Sequence, residues 1–360
     1  MQNKLLYLSW LPPFTRSEVI SDYEAECRPV QWAEKQIRSL DGTKLAVCEG
    51  HIPVHIKDPK PLSNPGAFKN QGQGNMTQKR KKRVVICYFQ GNGGSTPMRL
   101  PLLSHVLRGI TEMSNLFSSP GSSSENTEYT IAALSYRGYW TSSGRATQTG
   151  IQQDAQAFLA WVSEAYAAPD TDLEINVWGH SLGAAVATSA VATYLPQQRH
   201  SDKNKKPLAP ISRIILEAPT SSIKDMLISL YPQKWLPYRY LWPFSWNTWN
   251  IKASMQQMAT WRDQACAQIP SPQAGELMPC SLPPILLLSA EKDEVIPSYV
   301  PEQLEKHAQS LGLAIERKDV LGAMHTEAPL KLDGRKAMVQ FILNGTSTPD
   351  DIQHSKLSHR

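Results

Sequence analysis

Runs of apolar residues alternate with helical patterns along most of the chain, and this alternation predicts the fold. Residues 84–89 (Val-Val-Ile-Cys-Tyr-Phe) form a continuous apolar run, which is typical of a strand buried on both faces. Similar runs predict further strands at residues 129–136, 173–178, 211–217, 284–289 and 315–320. Intervening patterns predict helices at residues 101–113, 151–166, 182–194 and 303–311. Repeated strand–helix units predict an α/β fold with a mostly parallel central sheet flanked by helices.

An antiparallel hairpin is predicted ahead of the first buried strand. Asp41-Gly42 separates residues 30–39 from residues 43–48, and this dipeptide favours the tight turn that matches strand twist. The hairpin is therefore expected to add an antiparallel start to the sheet.

Polar segments interrupt this pattern and suggest a domain organisation. A flexible insertion is predicted at residues 57–83, with further exposed loops at 118–128 and 196–210. The core is expected to comprise residues 30–222 and 283–343, with an inserted cap or lid at 223–282. An N-terminal extension (1–29) precedes the core, and a disordered tail (344–360) is predicted to follow it.

The charge of the chain is concentrated in two short runs. Thirty-seven basic and thirty-two acidic residues give a net charge of +5, and much of the excess lies in residues 79–83 and 203–206. We interpret the first run as a solvated loop, with a nuclear localisation signal as the less favoured alternative. Neither run indicates nucleic acid as a partner.

The cysteines and the apolar runs bear on compartment and membrane contact. The five cysteines are widely spaced and include no C-x-x-C pair, so neither a disulfide framework nor a metal site is predicted. No apolar run approaches the roughly 20 residues that span a bilayer. Residues 5–11 are consistent with a weak signal sequence or a shallow membrane contact, but Pro12-Pro13 follows them directly. A cytoplasmic protein, or one peripheral to an internal membrane, is expected.

The candidate chemistry begins at Gly-His-Ser-Leu-Gly, residues 179–183. A predicted strand precedes Ser181 and a small-residue helix follows it, so the serine lies at a strand-to-helix turn. Gly179 and Gly183 would remove the Cβ atoms that collide at so sharp a turn. The pattern therefore predicts an exposed nucleophilic hydroxyl on Ser181.

A base and an acid are predicted downstream, each after a late strand. His325 follows the last predicted strand, and Asp293 follows the strand before it. Glu291 and Glu294 remain alternative acids in the same loop. Nucleophile, acid and base in the order Ser181, Asp293, His325 match the order expected for this architecture.

The oxyanion would be bound by backbone N–H groups of two turns. Leu182 directly follows the nucleophile, and Asn92 lies in the Gly-rich turn after residue 89. The neighbouring His180 is expected to point away from Ser181 and to contribute to packing.

Five motifs together resemble the α/β-hydrolase superfamily, and more narrowly its bud-emergence (BEM) type and the eukaryotic α/β-hydrolase-domain lipases. They are YFQGNGG, SYRGY, VWGHSLG, LEAPT and KDEVIP, beginning at residues 88, 135, 177, 216 and 292. The resemblance implies the α/β-hydrolase fold and a serine nucleophile that needs no cofactor. Acylglycerols, lysophospholipids and protein thioesters are typical substrates of such relatives.

Three positions depart from the pattern of these relatives, which usually have His at Gln90, Asp at Ser135 and Gly at Ala290. Glutamine at position 90 can still donate and accept hydrogen bonds. Many relatives also carry an N-terminal membrane helix, and no such helix is predicted in this sequence.

The predicted cap insertion is rich in aromatic residues. Eight of them fall within one short stretch, at Tyr231, Trp235, Tyr238, Tyr240, Trp242, Phe244, Trp246 and Trp249. They are compatible with a lid over an acyl pocket, a membrane-interface belt around Trp242 and Trp246, or a cap packed on the core.

Together these features predict a serine-dependent esterase or lipase acting on lipid-like carboxylic esters of the acylglycerol or lysophospholipid type. A protein thioesterase that uses the same site is the alternative within the enzyme class. A catalytically silent, membrane-associated binding or morphogenesis protein is the alternative outside it. Oligomeric state, acyl-chain length and head group are left open by the sequence.

Overall fold

The structure of the protein is a computed structural model. It describes residues 3, 6–53, 80–117, 127–199, 207–222, 227, 233, 235, 240, 246–267 and 281–344. Most of the predicted insertion at 57–83, most of the loop at 118–128 and the tail from residue 345 lie outside the described residues. Several aromatic residues of the predicted cap lie outside them as well, at Tyr231, Tyr238, Trp242 and Phe244.

One eight-stranded sheet organises the described residues, in the order β1-β2-β4-β3-β5-β6-β7-β8. Its strands are β1 (Gln31–Arg38), β2 (Lys44–His51), β3 (Lys81–Phe89), β4 (Thr127–Ser135), β5 (Thr171–His180), β6 (Ile211–Glu217), β7 (Ile285–Ala290) and β8 (Ile315–Val320). Strand β2 is antiparallel to β1 and β4, and every other neighbouring pair is parallel. The predicted N-terminal hairpin and mostly parallel sheet are both confirmed.

Helices cover both faces of this sheet. They are α1 (Leu100–Phe117), α2 (Gln148–Ala165), α3 (Leu182–Arg199), α4 (Ile251–Ala267), α5 (Tyr299–Ser310) and α6 (Leu332–Leu343). Strand β3 shows why both faces are covered, because Val85 and Cys87 join the core under α2 to α5 whereas Val84 and Ile86 join the core under α1 and α6. Successive side chains of a strand point to opposite faces, so the continuous apolar run requires two apolar layers.

The last three residues of the basic run at 79–83 are not in the loop that the composition indicated. Lys81, Lys82 and Arg83 form the first residues of β3. Their charges are paired across the sheet, with Lys82 Nζ 2.8 Å from Glu174 and Arg83 Nη2 2.9 Å from Glu128. Opposite charges on neighbouring strands stabilise the extended start of the strand, which composition alone could not indicate.

The helices α3 and α6 depart most clearly from the sequence prediction. Helix α3 continues to Arg199, beyond the predicted end at residue 194, and includes Pro196. Helix α6 was not predicted, although Met338, Val339 and Ile342 are spaced as one helical face and are buried against the α1 side of the sheet.

The N-terminal apolar run is partly buried. Leu6 and Tyr7 are each 2% exposed and belong to the core on the α2 side of the sheet. Their burial contradicts a membrane contact through these two side chains. None of the helices within the described ranges is long and apolar enough to cross a membrane.

Part of the predicted cap range is a regular helix. Helix α4 packs against α3, with Ile251, Met255 and Met258 buried in the core. This helix therefore lies against the α/β core.

Candidate active site

The predicted site residues come from loops that follow parallel strands at one edge of the sheet. Ser181 follows β5, Asp293 lies three residues after β7, and His325 lies five residues after β8. The carboxyl ends of parallel strands share an edge, which is where open α/β sheets bind their ligands. The fold therefore brings together residues that are far apart in sequence.

Ser181 occupies a sharp turn between β5 and α3. Its φ angle is +53°, in the left-handed region, where a non-glycine residue carries strain of order 1–3 kcal/mol. The backbone N–H of Ser181 donates to the carbonyl oxygen of Glu217 at 2.8 Å, which fastens the turn to the end of β6. This is the geometry of a nucleophile elbow.

The two glycines around Ser181 are required by close backbone contacts. A Cβ atom on Gly179 would lie 2.6 Å from the Cα of Ala184, and one on Gly183 would collide with the carbonyl oxygens of Phe89 and Gln90. Both approaches are far inside ordinary van der Waals contact. The sequence argument for small residues at these two positions therefore has a specific steric basis.

Asp293 and His325 form a closely paired acid and imidazole. Nδ1 of His325 lies 2.9 Å from Oδ2 and 3.0 Å from Oδ1 of Asp293. Oδ1 also accepts hydrogen bonds from the backbone N–H groups of Val295 and Ile296, at 2.8 and 2.7 Å. The backbone of the β7–α5 loop thus fixes the carboxylate, and the carboxylate fixes the tautomer and orientation of the ring.

The two alternative acids have different partners. Oε2 of Glu291 accepts a hydrogen bond from the backbone N–H of Gly322 at 2.7 Å. Oε2 of Glu294 accepts one from the backbone N–H of His325 at 3.0 Å. Both carboxylates therefore hold the backbone of the His325 loop, and Asp293 is the one paired with the ring.

The two predicted oxyanion donors belong to different turns. Leu182 directly follows Ser181, and Asn92 lies in the Gly-rich loop after β3. Residues 90–96 form the Gly-rich loop after β3, in which Gly93 and Gly94 have φ angles of +95° and +73°. In the described part of the chain, the backbone N–H groups of Asn92 and Leu182 donate no backbone hydrogen bond. An oxyanion hole requires backbone N–H groups that are free to bind the substrate oxygen, and these two groups stay the predicted donors.

Gln90, where relatives usually have His, is buried in the Gly-rich loop at 1% exposure. Its Oε1 accepts a hydrogen bond from the Thr96 hydroxyl at 2.7 Å, and its carbonyl oxygen accepts one from the Tyr136 hydroxyl at 2.9 Å. Its Nε2 has no partner among the described residues. The glutamine side chain thus contributes to closing the Gly-rich loop on itself.

A buried ion pair beneath the site was missed by the sequence reasoning. Glu217, at the end of β6, is fully buried and accepts hydrogen bonds from Arg99 Nη2 at 3.2 Å and Trp178 Nε1 at 2.9 Å. Burial raises the pKa of the Glu217 carboxyl, and the nearby Arg99 charge partly offsets that rise. The sequence did contain one signal for this pair, because Glu217 is a single acidic residue at the end of an apolar strand.

His180 is buried, as expected, and its ring lies beside that of His325. Its ring centroid lies 5.0 Å from that of His325, and its Nε2 lies 3.4 Å from the His325 carbonyl oxygen. Burial lowers the pKa of His180 well below its ordinary value, and the positive charge of Arg99 lowers it further. His180 is therefore a neutral ring packed beneath the candidate base.

Within the described ranges, no group of three or more His, Cys, Asp and Glu side chains is placed to hold a metal ion.

Sequence comparisons relate the chain to two kinds of curated protein, although no family description matches it. Protein bem46 of Schizosaccharomyces pombe is 28% identical over 217 residues, which cover 60% of this chain and 54% of that protein. Lysophosphatidylserine lipase ABHD12 of Danio rerio is 28% identical over 234 residues, which cover 64% of this chain and 48% of that protein. The chain thus spans about half the length of the curated relatives it matches.

Solved structures share the fold at low sequence identity. An alpha-beta hydrolase from Vibrio vulnificus has a TM-score of 0.58 and 14% identity, covering 96% of this chain and 92% of the other. An esterase of Pyrococcus furiosus has a TM-score of 0.52 and 14% identity, covering 91% and 93%. These similarities agree with the eight-stranded sheet and the flanking helices described above. The chain therefore has the α/β-hydrolase fold, and its sequence resembles those of the Bem46 and ABHD12 proteins.

Proposed function

We propose that the protein is a serine hydrolase that cleaves carboxylic esters of lipid-like substrates, of the acylglycerol or lysophospholipid type. The observation that carries this proposal is the combination of a strained serine elbow with a histidine ring held by a carboxylate at the same sheet edge. Such a combination activates a hydroxyl that is a weak nucleophile on its own.

The reaction begins with acylation of the enzyme. Ser181 Oγ attacks the ester carbonyl carbon while His325 accepts the hydroxyl proton through Nε2. The oxyanion of the tetrahedral intermediate is bound by the backbone N–H groups of Asn92 and Leu182. When the intermediate collapses, the alkoxide leaves with the proton from His325, and the acyl group remains on Ser181.

Deacylation repeats these steps with water. His325 takes a proton from the attacking water, the acyl–Ser181 bond breaks, and the proton returns to Ser181 Oγ as the carboxylic acid leaves. Throughout, Asp293 holds Nδ1 of the ring and stabilises the imidazolium that forms. These roles for Ser181, Asp293 and His325 need no cofactor.

The substrate class rests on similarity and therefore needs a direct test. One group of relatives is named lysophosphatidylserine lipase, at about 28% identity. We infer a lipid ester with a single acyl chain as the substrate of this chain. The region around Trp242 and Trp246 is the proposed contact with lipid.

A fluorophosphonate probe tests the reaction class. The folded full chain should be labelled, and Ser181→Ala should abolish the labelling without a change in circular dichroism. A wild-type chain that folds but resists the probe and hydrolyses no short-chain aryl ester would instead support the catalytically silent binding protein.

A substrate panel then tests the lipid class. Monoacylglycerol, lysophosphatidylserine, lysophosphatidylcholine and an acyl thioester would be compared by kcat/KM under one set of conditions. The proposal expects the highest value for an oxygen ester. A thioester preferred by more than about tenfold, or about 1.4 kcal/mol in activation free energy, would favour the thioesterase alternative.

Lipid contact can be tested separately at Trp246, which is 92% exposed. Large apolar side chains in contact with water favour a membrane interface when a lipid surface is available. Vesicle flotation of Trp246→Ser should show less bound protein than wild type. The matched control is Leu116→Ser, which removes an 82% exposed apolar side chain at the end of α1. Equal flotation of all three proteins would exclude the contact.

A further inference from the structure

The N-terminal segment, residues 6–18, lies across the Gly-rich loop and makes specific contacts with it. Leu6 and Tyr7 are buried, and Thr15 is buried as well. Side chains and backbone groups of the segment bond to Asn92, Gly94 and Ser95 in turn. Contacts at three positions of one short loop distinguish this segment from an extension that merely continues away from the core.

The carboxamide of Asn92 is the first contact, and it pairs with the segment as a backbone group would. Its Nδ2 donates to the carbonyl oxygen of Leu6 at 2.7 Å, and its Oδ1 accepts from the backbone N–H of Leu8 at 2.9 Å. Oδ1 accepts a second hydrogen bond from the Tyr139 hydroxyl at 3.0 Å. A carboxamide held at both ends cannot rotate, so the main chain that carries it is held too.

Gly94 and Ser95 are the second and third contacts. The backbone N–H of Gly94 donates to the carbonyl oxygen of Leu11 at 2.6 Å, and the Ser95 hydroxyl bonds to the carboxylate of Glu18. A Cβ atom on Gly93 would lie 3.4 Å from that same Leu11 oxygen. The segment and the loop therefore approach each other closely along their length.

Tyr7 links this assembly to the chain just before α4. Its hydroxyl donates to Asn247 Oδ1 at 2.9 Å and accepts from Trp249 Nε1 at 2.9 Å. Asn247 Oδ1 also accepts from the backbone N–H of Gln148 at 3.2 Å. One buried hydroxyl thus joins the N-terminal segment to the end of the predicted cap range and to the start of α2.

We propose that Asn92, through its side chain, and Tyr7 are positioning residues that aim the Asn92 backbone N–H at the oxyanion. The inference rests on the function proposed above, because the oxyanion forms only if Ser181 attacks an ester. The N-terminal segment holds the Gly-rich loop through Asn92, and Tyr7 holds the segment against residues 247 and 249. The N-terminal segment thereby helps to position the oxyanion donor.

Hydrogen exchange tests the structural half of this inference without any turnover. The reporters are the amides of Leu8 and Gly94, whose acceptors are Asn92 Oδ1 and the Leu11 carbonyl. Asn92→Ala should speed exchange at both amides by about tenfold or more, because both lose protection when the segment detaches. Tyr7→Phe should speed the same amides by a smaller factor.

The matched control is Tyr194→Phe. It removes a buried hydroxyl whose hydrogen bond to the Ala209 carbonyl is also 2.9 Å, in the C-terminal half of α3. Exchange at Leu8 and Gly94 should be unchanged in this variant. Unchanged exchange in Asn92→Ala and Tyr7→Phe would overturn the inference.

Kinetics test the catalytic half. Active sites are counted with the fluorophosphonate probe, and kcat per site is measured with a short-chain aryl ester. Asn92→Ala should lower kcat by about 10- to 100-fold with KM within about threefold, since a misaimed donor weakens binding of the oxyanion more than of the substrate. An alkyl trifluoromethyl ketone, which forms a tetrahedral adduct, should lose affinity in proportion to kcat.

A purely structural role would give a different result. Asn92→Ala would then reduce the number of labelled sites and leave kcat per site and ketone affinity unchanged, which would overturn the positioning role. Tyr7→Phe keeps the ring and serves if Asn92→Ala folds poorly. If the wild type neither labels nor turns over, the proposed function fails, and hydrogen exchange still decides whether the segment holds the loop.

Discussion

Two histidine–carboxylate pairs lie side by side in this protein, and only one of them has the geometry of a catalytic pair. His325 Nδ1 is 2.9 Å from Asp293, whereas His180 Nε2 is 3.9 Å from Glu217. The two rings are neighbours, with centroids 5.0 Å apart. Proximity of a histidine to a carboxylate is therefore not enough to identify the base.

The difference lies in what else each carboxylate binds. Asp293 accepts hydrogen bonds from two backbone N–H groups, and among the described residues its ring partner is His325 and it has no lysine or arginine partner. Glu217 is shared by Arg99 and Trp178, so its charge is already compensated. Since burial and Arg99 both lower the pKa of His180, that ring stays neutral. A neutral neighbour adds no repulsion when His325 takes up a proton.

The largest expected effect comes from replacing each of the two histidines separately. His325→Ala should lower kcat/KM by about 10⁴- to 10⁶-fold, because it removes the proposed acceptor of the Ser181 proton. His180→Gln should lower it by less than about tenfold, since a neutral hydrogen-bonding side chain is kept in the same place. Steady-state hydrolysis of a short-chain aryl ester measures both. Comparable losses in the two variants would remove the distinction between the pairs.

The second prediction concerns replacement of the acids Asp293 and Glu291 by their amides. Asp293→Asn should lower kcat by about 10³- to 10⁴-fold with little change in folding, because an amide stabilises the wrong tautomer of His325. Glu291→Gln is the control, since its amide oxygen can still accept from Gly322 and the ring partner is untouched. We expect less than about threefold loss for this control. A larger loss in Glu291→Gln than in Asp293→Asn would transfer the role to Glu291.

The sequence predicted the parts of this site that depend on local pattern. Apolar runs mark β3 and β7 because both faces of these strands are buried. The glycines at 179 and 183 mark the elbow, because no other residue avoids the backbone contacts there. Ser181, Asp293 and His325 follow β5, β7 and β8 of one sheet, so their order along the chain is the order of these strands.

What the sequence could not predict depends on contacts between distant residues. Arg99 and Glu217 are 118 positions apart, and nothing local pairs them. Lys81 to Arg83 were assigned to a loop because their partners, Glu128 and Glu174, lie on other strands. Residues 6–18 dock on the Gly-rich loop largely through their own backbone groups, at Leu6, Leu8 and Leu11, and such groups leave no mark in the side-chain pattern.

The third prediction concerns stability instead of turnover. Glu217→Gln leaves the Arg99 charge buried without its counter-charge, which should cost about 3–5 kcal/mol of unfolding free energy. Urea unfolding measures this loss. The double variant Glu217→Gln/Arg99→Met, which also removes the arginine charge, should regain part of the lost stability. Loss of activity like that of Asp293→Asn, with unfolding unchanged, would instead give Glu217 a catalytic role.

The smallest expected effect is a pH dependence that isolates His180. Its folded pKa lies well below the ordinary value of about 6.5, so the unfolded chain binds this proton more readily than the folded chain does. The stability it contributes is complete above about pH 6.5 and declines as the pH falls toward the folded pKa, with a slope of up to about 1.4 kcal/mol per pH unit. Arg99, Glu217 and His325 are the ionisable groups that face this ring.

His180→Gln removes this titration, so its unfolding free energy should fall less steeply than that of wild type between about pH 6.5 and pH 5. Urea unfolding at several pH values gives the slope of unfolding free energy against pH for wild type and for His180→Gln. The difference between the two slopes is the contribution of His180. Arg99→Met is the companion variant. Removing the neighbouring cation should raise the folded pKa of His180, so the unfolding free energy of this variant should also fall less steeply than that of wild type between about pH 6.5 and pH 5. Parallel curves for wild type and His180→Gln would mean that the His180 ring titrates normally in the fold, and the contrast between the two histidines would then rest on geometry alone.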